Sequence, residues 1–291
     1  MAMNTPDHRE EELRQLVGLP PRPDRRARAG KSRVRIDEVC RVLDLPEPRY
    51  RELLASDRWL VGGAVMRWLS PGIGRTEIES ADYDYFFPSV EVVNRSLDEL
   101  IAAGFLFRCF RSYKAMCPLC GGPGELVGAD GPLAPLLIVA PIRCPHCGEF
   151  DPDDPDGFRR DRLLRLRPEL LGGDGVRAVE LLSPRGDTIH LTTVTLAPTP
   201  GDVLASADFS MIQFLLDDEY LYFGPYAWSD LLHRRLRLVS RSNSNYYRYR
   251  KFMALGFRPD AASALGFLRA AVRWHYALLL RGGLRLLRPK R

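Results

Sequence analysis

Four of the six cysteines fall into two close pairs, Cys117 with Cys120 in CPLC and Cys144 with Cys147 in CPHC, with 23 residues between the pairs. Each CxxC turn offers a two-thiolate clip, and two clips complete the tetrahedron that a structural zinc ion takes. Gly121 and Gly148 follow the second cysteine of each pair and relieve crowding where the backbone turns toward the metal. His146 lies inside the second clip and is an alternative ligand. Four thiolates would leave no open position, so this zinc is expected to hold an insertion together rather than catalyse. Two redox-active pairs, or unrelated thiols, are the competing readings. A clip of this kind sets a small zinc-ribbon-like unit, residues 112–160, into the middle of the chain.

The rest of the sequence has to fold around that unit. Its 291 residues, 45% hydrophobic, can bury a sizeable core. The N-terminal MAMNTPDHREEELRQL is polar and carries no signal-peptide pattern, and no run of 18 apolar residues occurs. A cytoplasmic protein with reduced thiols and no membrane span is therefore expected. The formal charge is +5, and 38 of the 42 basic residues are arginine, whose planar fork suits phosphate. PPRPDRRARAGKSRVR almost lacks large apolar groups, so residues 1–35 read as a flexible basic arm.

Ordered structure is expected from Ile36. IDEVCRVLDL and EPRYRELLAS read as two short helices. RWLV leads to Gly62-Gly63, AVMRWLS has helical character, and aromatic-rich DYDYFF reads as a strand. VEVVNRSLDELIAAG has helical spacing and closes at Gly104. FLFRCFR is a further strand. VRAVELL and TIHLTTV form a plausible hairpin about SPRGD, and ADFSMIQFLL with EYLYFG a second. Beyond Tyr226 the pattern is mostly helical.

DYDYFF carries the chemistry. On a strand, Asp82 and Asp84 point to one side and Tyr83 and Tyr85 to the other, into packing. Adjacent carboxylates repel unless a cation lies between them, and magnesium accepts hard carboxylate and phosphate oxygens together. An exposed acidic pair on an edge strand is the plain alternative. Upstream, Gly62 and Gly63 open a helix where backbone N–H groups are accessible to phosphate. Arg67 and Arg75 are near enough in sequence to meet phosphate, or to be ordinary surface arginines.

LVGGAVMRWL followed by DYDYFF resembles the signature of the polymerase-β-type nucleotidyltransferase superfamily, nearest the CCA-adding enzyme and bacterial poly(A) polymerase branch. SDLLHRRLRL and YYRYRKFMALGF, residues 229–238 and 246–257, resemble the segments that follow the palm in that branch. The likeness spans about 57–257, interrupted by the cysteine unit. Met66-Arg67-Trp68 stands where the branch has an Arg-Asp pair. The resemblance implies an α+β fold: a palm of mixed sheet flanked by helices over 36–225, the zinc-ribbon-like insertion within it, and a helical C-terminal region over 226–291. It implies a nucleotidyltransferase in which Gly62 and Gly63 cradle a nucleoside triphosphate, such as ATP, and Asp82 and Asp84 hold Mg2+. Arg67, Arg248, Arg250 and Lys251 would meet the nucleotide or the acceptor. A third carboxylate on a neighbouring strand serves many members. TIHLTTV, where that strand is expected, offers only His190, so Asp208 is the candidate. Tyr246, Tyr247 and Tyr249 could stack on a base or simply pack. The acceptor expected is an RNA or DNA 3′ end. Nucleotidylation of a protein or small molecule, and a non-catalytic zinc-containing binding module, are the alternatives. The zinc insertion could also meet a protein partner.

Overall fold

The computed structural model describes residues 6–20, 28–71, 82–112, 125–126, 140–143, 176–193, 196–239, 245–269 and 271–272. All four cysteines of the CxxC pairs lie outside these residues, as does Arg75.

Alternating side chains build one mixed sheet. Its strands are β1 (Arg33–Arg35), β2 (Trp59–Val61), β3 (Tyr83–Phe86), β4 (Leu106–Ser112), β5 (Glu125–Leu126), β6 (Ala140–Arg143), β7 (Val176–Leu182), β8 (Thr188–Thr192), β9 (Phe214–Leu216) and β10 (Tyr220–Phe223). Among the described residues the order is β1-β10-β9-β2-β3-β8-β7-β4-β6-β5. Only β3 and β8 run parallel; every other neighbouring pair is antiparallel. The two expected hairpins are the pairs β7–β8 and β9–β10. β6, from the stretch expected to be an insertion, pairs with β4 and so extends the same sheet.

The two faces of this sheet differ. Leu60, Tyr83, Tyr85, Ile189, Leu191, Leu181, Leu216 and Leu221 bury one face in the main core. Four helices cover it: α1 (Pro6–Val17), α2 (Ile36–Leu43), α3 (Gly63–Leu69) and α4 (Val90–Ala102). Their apolar positions, such as Val39, Val42 and Leu43 of α2 or Val93, Leu97 and Leu100 of α4, recur at helical spacing and are buried. Ser89 caps α4, its Oγ accepting from the Val92 N–H. The other face carries a smaller cluster of Trp59, Val61 and Leu215, covered by Val203 and Leu204 of α5 (Pro200–Ser206). Asp84 lies on that second face, which among the described residues is the less covered.

Three stretches differ from the sequence reading. Within residues 1–35, α1 is a helix whose Leu13 and Val17 are fully buried, and Arg33–Arg35 pairs with β10. Packing of two apolar side chains overrides the polarity of that helix, so these parts are not a flexible arm. EPRYRELLAS forms only a one-turn 3-10 helix, Arg51–Leu53, because Tyr50 takes a left-handed φ of 63°. After Tyr226, the helices α6 (Ala227–Leu232), α7 (Asn245–Ala254) and 261–269 alternate with a short parallel pair, β11 (Arg235–Leu236) and β12 (Arg258–Pro259). Among the described residues no helix is long and apolar enough to cross a membrane.

The C-terminal helices are anchored by aromatic packing. Tyr249 is fully buried, its ring edge-on to Phe209 and Phe267, and its hydroxyl donates to the Ser263 carbonyl at 2.9 Å. Tyr249→Phe removes that buried bond and keeps the ring packing. We expect a loss of about 1 kcal/mol, readable as a lower urea midpoint at constant slope.

Candidate active site

β2 and β3 are antiparallel with Val61 opposite Asp84. The chain leaving β2 through Gly62 therefore passes beside the start of β3, where Asp82 stands. Gly62 has φ 71° and ψ −121°, a conformation open to glycine and strained for other residues. Its N–H is tied to the Phe214 carbonyl at 3.0 Å, and its carbonyl accepts the first bond of α3 from Met66 at 2.9 Å. The glycine pair and the acidic pair thus meet at one place on the sheet. Asp82 is exposed and Asp84 half-buried, while Tyr83 and Tyr85 are buried on the far face.

β8 brings His190 into register with Asp84, and β7 brings Glu180 opposite His190. The imidazole bridges the two acids: Nδ1 is 3.0 Å from Asp84 Oδ1, and Nε2 is 3.3 Å from Glu180 Oε2. Burial alone would lower the His190 pKa. Hydrogen bonds to Asp84 and Glu180, with the charges of Asp84 and Asp82, outweigh it and raise the pKa to about 9. His190 is therefore an imidazolium at neutral pH. Burial would raise the Glu180 pKa, but hydrogen bonds from His190 and Arg111 and their charges bring it down to about 2.

Glu180 has two further partners. Its Oε1 is ion-paired with Arg108 Nη1 at 3.0 Å, and its Oε2 accepts from Arg111 Nε. Residues three apart on a regular strand face opposite ways. Here a bulge intervenes: Phe107 pairs with Leu181 and Cys109 with Glu180, so Arg108 is the extra residue. The bulge turns both arginines toward Glu180 and leaves Phe107 and Phe110 packed together at 4.8 Å. Burial opposes the Arg111 charge; the Glu180 carboxylate, and more weakly Cys109 and Asp82, favour it and hold its pKa above the ordinary value.

The other expected residues lie elsewhere. Arg67 points to the Tyr83 face, its guanidinium 5.0 Å from that ring centroid. Asp208, buried, is ion-paired with Arg248 of α7. Arg250 and Lys251 are exposed on α7. Asp230, from the SDLLHRRLRL segment, is fully buried and accepts from Ser210 Oγ and from Arg237 Nε, the latter at 2.8 Å.

Among the described residues no group of three or more His, Cys, Asp or Glu is arranged to hold a metal ion. The donors at Asp82 and Asp84 nonetheless suit Mg2+. It binds through one or two carboxylates and takes its remaining oxygens from substrate phosphate and water. His190 contacts Asp84 through Oδ1, at the Glu180 side.

Comparison with solved structures finds similarity to CCA-adding enzymes. The Thermotoga maritima CCA-adding enzyme complexed with tRNA superimposes with a TM-score of 0.46 at 14% identity, over 86% of this chain and 48% of that one. A CCA-adding enzyme in complex with CTP gives 0.46 at 13% identity, over 85% and 48%. One with ATP gives 0.46 at 14% identity, over 84% and 46%. The chain thus spans about half the length of these enzymes. No protein-family model and no curated protein matches it.

Proposed function

We propose that this chain is a magnesium-dependent nucleotidyltransferase that adds a nucleoside monophosphate to the 3′ end of a nucleic acid. The observation that carries the reading is the meeting of Gly62-Gly63 with Asp82 and Asp84 on the less covered face of the sheet. Two carboxylates beside an accessible backbone turn suit a triphosphate and its counter-ion, and the motif resemblance points the same way.

In the proposed reaction an acceptor hydroxyl oxygen attacks the α-phosphorus of a nucleoside triphosphate. The bond from the α-phosphorus to the bridging oxygen breaks, and pyrophosphate leaves. Asp82 and Asp84 would hold magnesium, which supplies charge neutralisation and a lowered hydroxyl pKa. Gly62 and Gly63 let phosphate approach the backbone. His190 bridges Asp84 and Glu180 and orients the Asp84 carboxylate from the side away from the glycines. The hydroxyl proton is released to solvent at the exposed Asp82. Asp208 and Arg248 act through the ion pair that docks α7, with Arg250 and Lys251 available to a polyanion.

The test is incubation with Mg2+ and each labelled triphosphate, with and without RNA and DNA oligonucleotides. Label on a lengthened oligonucleotide is expected. Label on protein or on a small molecule instead would replace the acceptor assignment, and no transfer at all would overturn the reading.

The cysteine unit is proposed to be structural. We expect one zinc per chain by elemental analysis. Cys117→Ser with Cys144→Ser should release it, because each clip is halved.

A further inference from the structure

We propose that Arg108 and Arg111 bind the phosphate next to the reacting hydroxyl of a single-stranded nucleic-acid acceptor. The inference rests on the nucleotidyl-transfer reading and adds to it the acceptor's place on the sheet.

The sheet order sets the geometry. Gly62-Gly63 follow β2 on one side of β3, whereas β8, β7 and β4 lie on the other. In phosphoryl and nucleotidyl transfer the attacking and leaving oxygens stand roughly in line across the phosphorus. If the triphosphate occupies the glycine side, pyrophosphate departs there and the hydroxyl must arrive over β8 and β7. Arg108 and Arg111 reach that side from β4. Among the described residues, both guanidinium groups share the one carboxylate Glu180, which also meets His190. Glu180 has a side chain only 3% exposed, yet each arginine keeps 35% of its own side chain exposed. A pair serving only to neutralise a buried acid has no need of a second arginine or of partly exposed side chains. The bulge at Arg108 is the device that gives both arginines one direction. An acceptor 3′ end carries its nearest phosphate one nucleotide from the hydroxyl, and arginine forks match phosphate oxygens.

Binding of a labelled single-stranded oligonucleotide across a salt series tests this. Arg108→Gln and Arg111→Gln should each weaken binding about 10-fold and flatten the slope of log K against log salt by about 0.7. Arg95→Gln, on α4 over the opposite face, should leave the slope unchanged. A second arm alters the nucleic acid and is read in the wild type and in both variants, each checked for a wild-type melt. A neutral methylphosphonate at the 3′-terminal linkage should weaken wild-type binding about 10-fold and have a smaller effect on either Gln variant, which keeps only one of the two arginines. Unchanged slopes, or equal methylphosphonate effects in wild type and variants, overturn the assignment. If labelled nucleotide is still transferred in that case, nucleotidyl transfer stands and only the arginine role falls. A wild type that neither transfers nucleotide nor binds the oligonucleotide removes both.

Discussion

Replacing both strand acids, Asp82→Asn with Asp84→Asn, should reduce nucleotidyl transfer by about 10²–10⁴-fold while the protein stays folded. Metal-borne charge stabilisation is worth several kcal/mol, and each 1.36 kcal/mol is about a factor of ten in rate. Folding should lose only the charge of the Asp84–His190 contact. Asp82 is exposed and Asp84 half-buried, and asparagine keeps the shape and an acceptor oxygen for His190. The measurement is single-turnover transfer with saturating triphosphate and Mg2+, beside a thermal melt of the same sample. A rate within about threefold of wild type would sink the site assignment. Asp208→Asn is the informative companion. It breaks an ion pair with Arg248 in a buried setting, so we expect it to lower the melting temperature more than the double strand variant does.

How much of this was legible in the chain differs by element. DYDYFF alone placed two acids on one side of a strand and two tyrosines in the core, because strand alternation is local. The meeting of those acids with Gly62-Gly63 needed the pairing of β2 with β3, which no local pattern encodes. Glu180 and His190 were partly readable. With a turn over 183–187, positions 180 and 190 are equidistant from its centre, and the hairpin pairs them. An acid within the apolar VRAVELL was the available signal. Arg108 and Arg111 were not readable, since an ordinary strand would send them to opposite faces. Only the bulge, seen as a register shift against β7, puts them together. α1 was missed for another reason. Its polar composition suits a tail, and its two fully buried apolar side chains, Leu13 and Val17, are too few to reveal that a core lies beneath it.

Removing Glu180 should be the most destabilising single change in the candidate site. Glu180→Ala takes the shared carboxylate from three cationic groups, the two guanidinium ends of Arg108 and Arg111 and the His190 imidazolium, of which His190 keeps Asp84. Breaking a buried ion pair from one side costs about 3–5 kcal/mol. Both arginines are partly exposed and can rehydrate, so the lower end, about 3 kcal/mol, is expected. That corresponds to a fall of about 6–12 °C in melting temperature for a chain of this size. The same network makes stability depend on pH in two limbs. The Glu180 carboxyl is held at about 2, below its ordinary 4.5, so its contribution is complete above pH 4.5 and is lost as pH falls toward 2. His190 is raised from 6.5 to about 9, so its contribution is complete below pH 6.5 and is lost as pH rises through 9. Wild-type melting temperature, recorded in EDTA, should therefore be level between pH 4.5 and 6.5 and decline on either side. In Glu180→Gln the histidine keeps Asp84 but loses its second charged partner, and the decline between pH 6.5 and 9 should become shallower. Parallel wild-type and variant curves across that range would mean that His190 and Glu180 do not titrate as linked groups, and the bridge from Asp84 through His190 to the two arginines would have no energetic content.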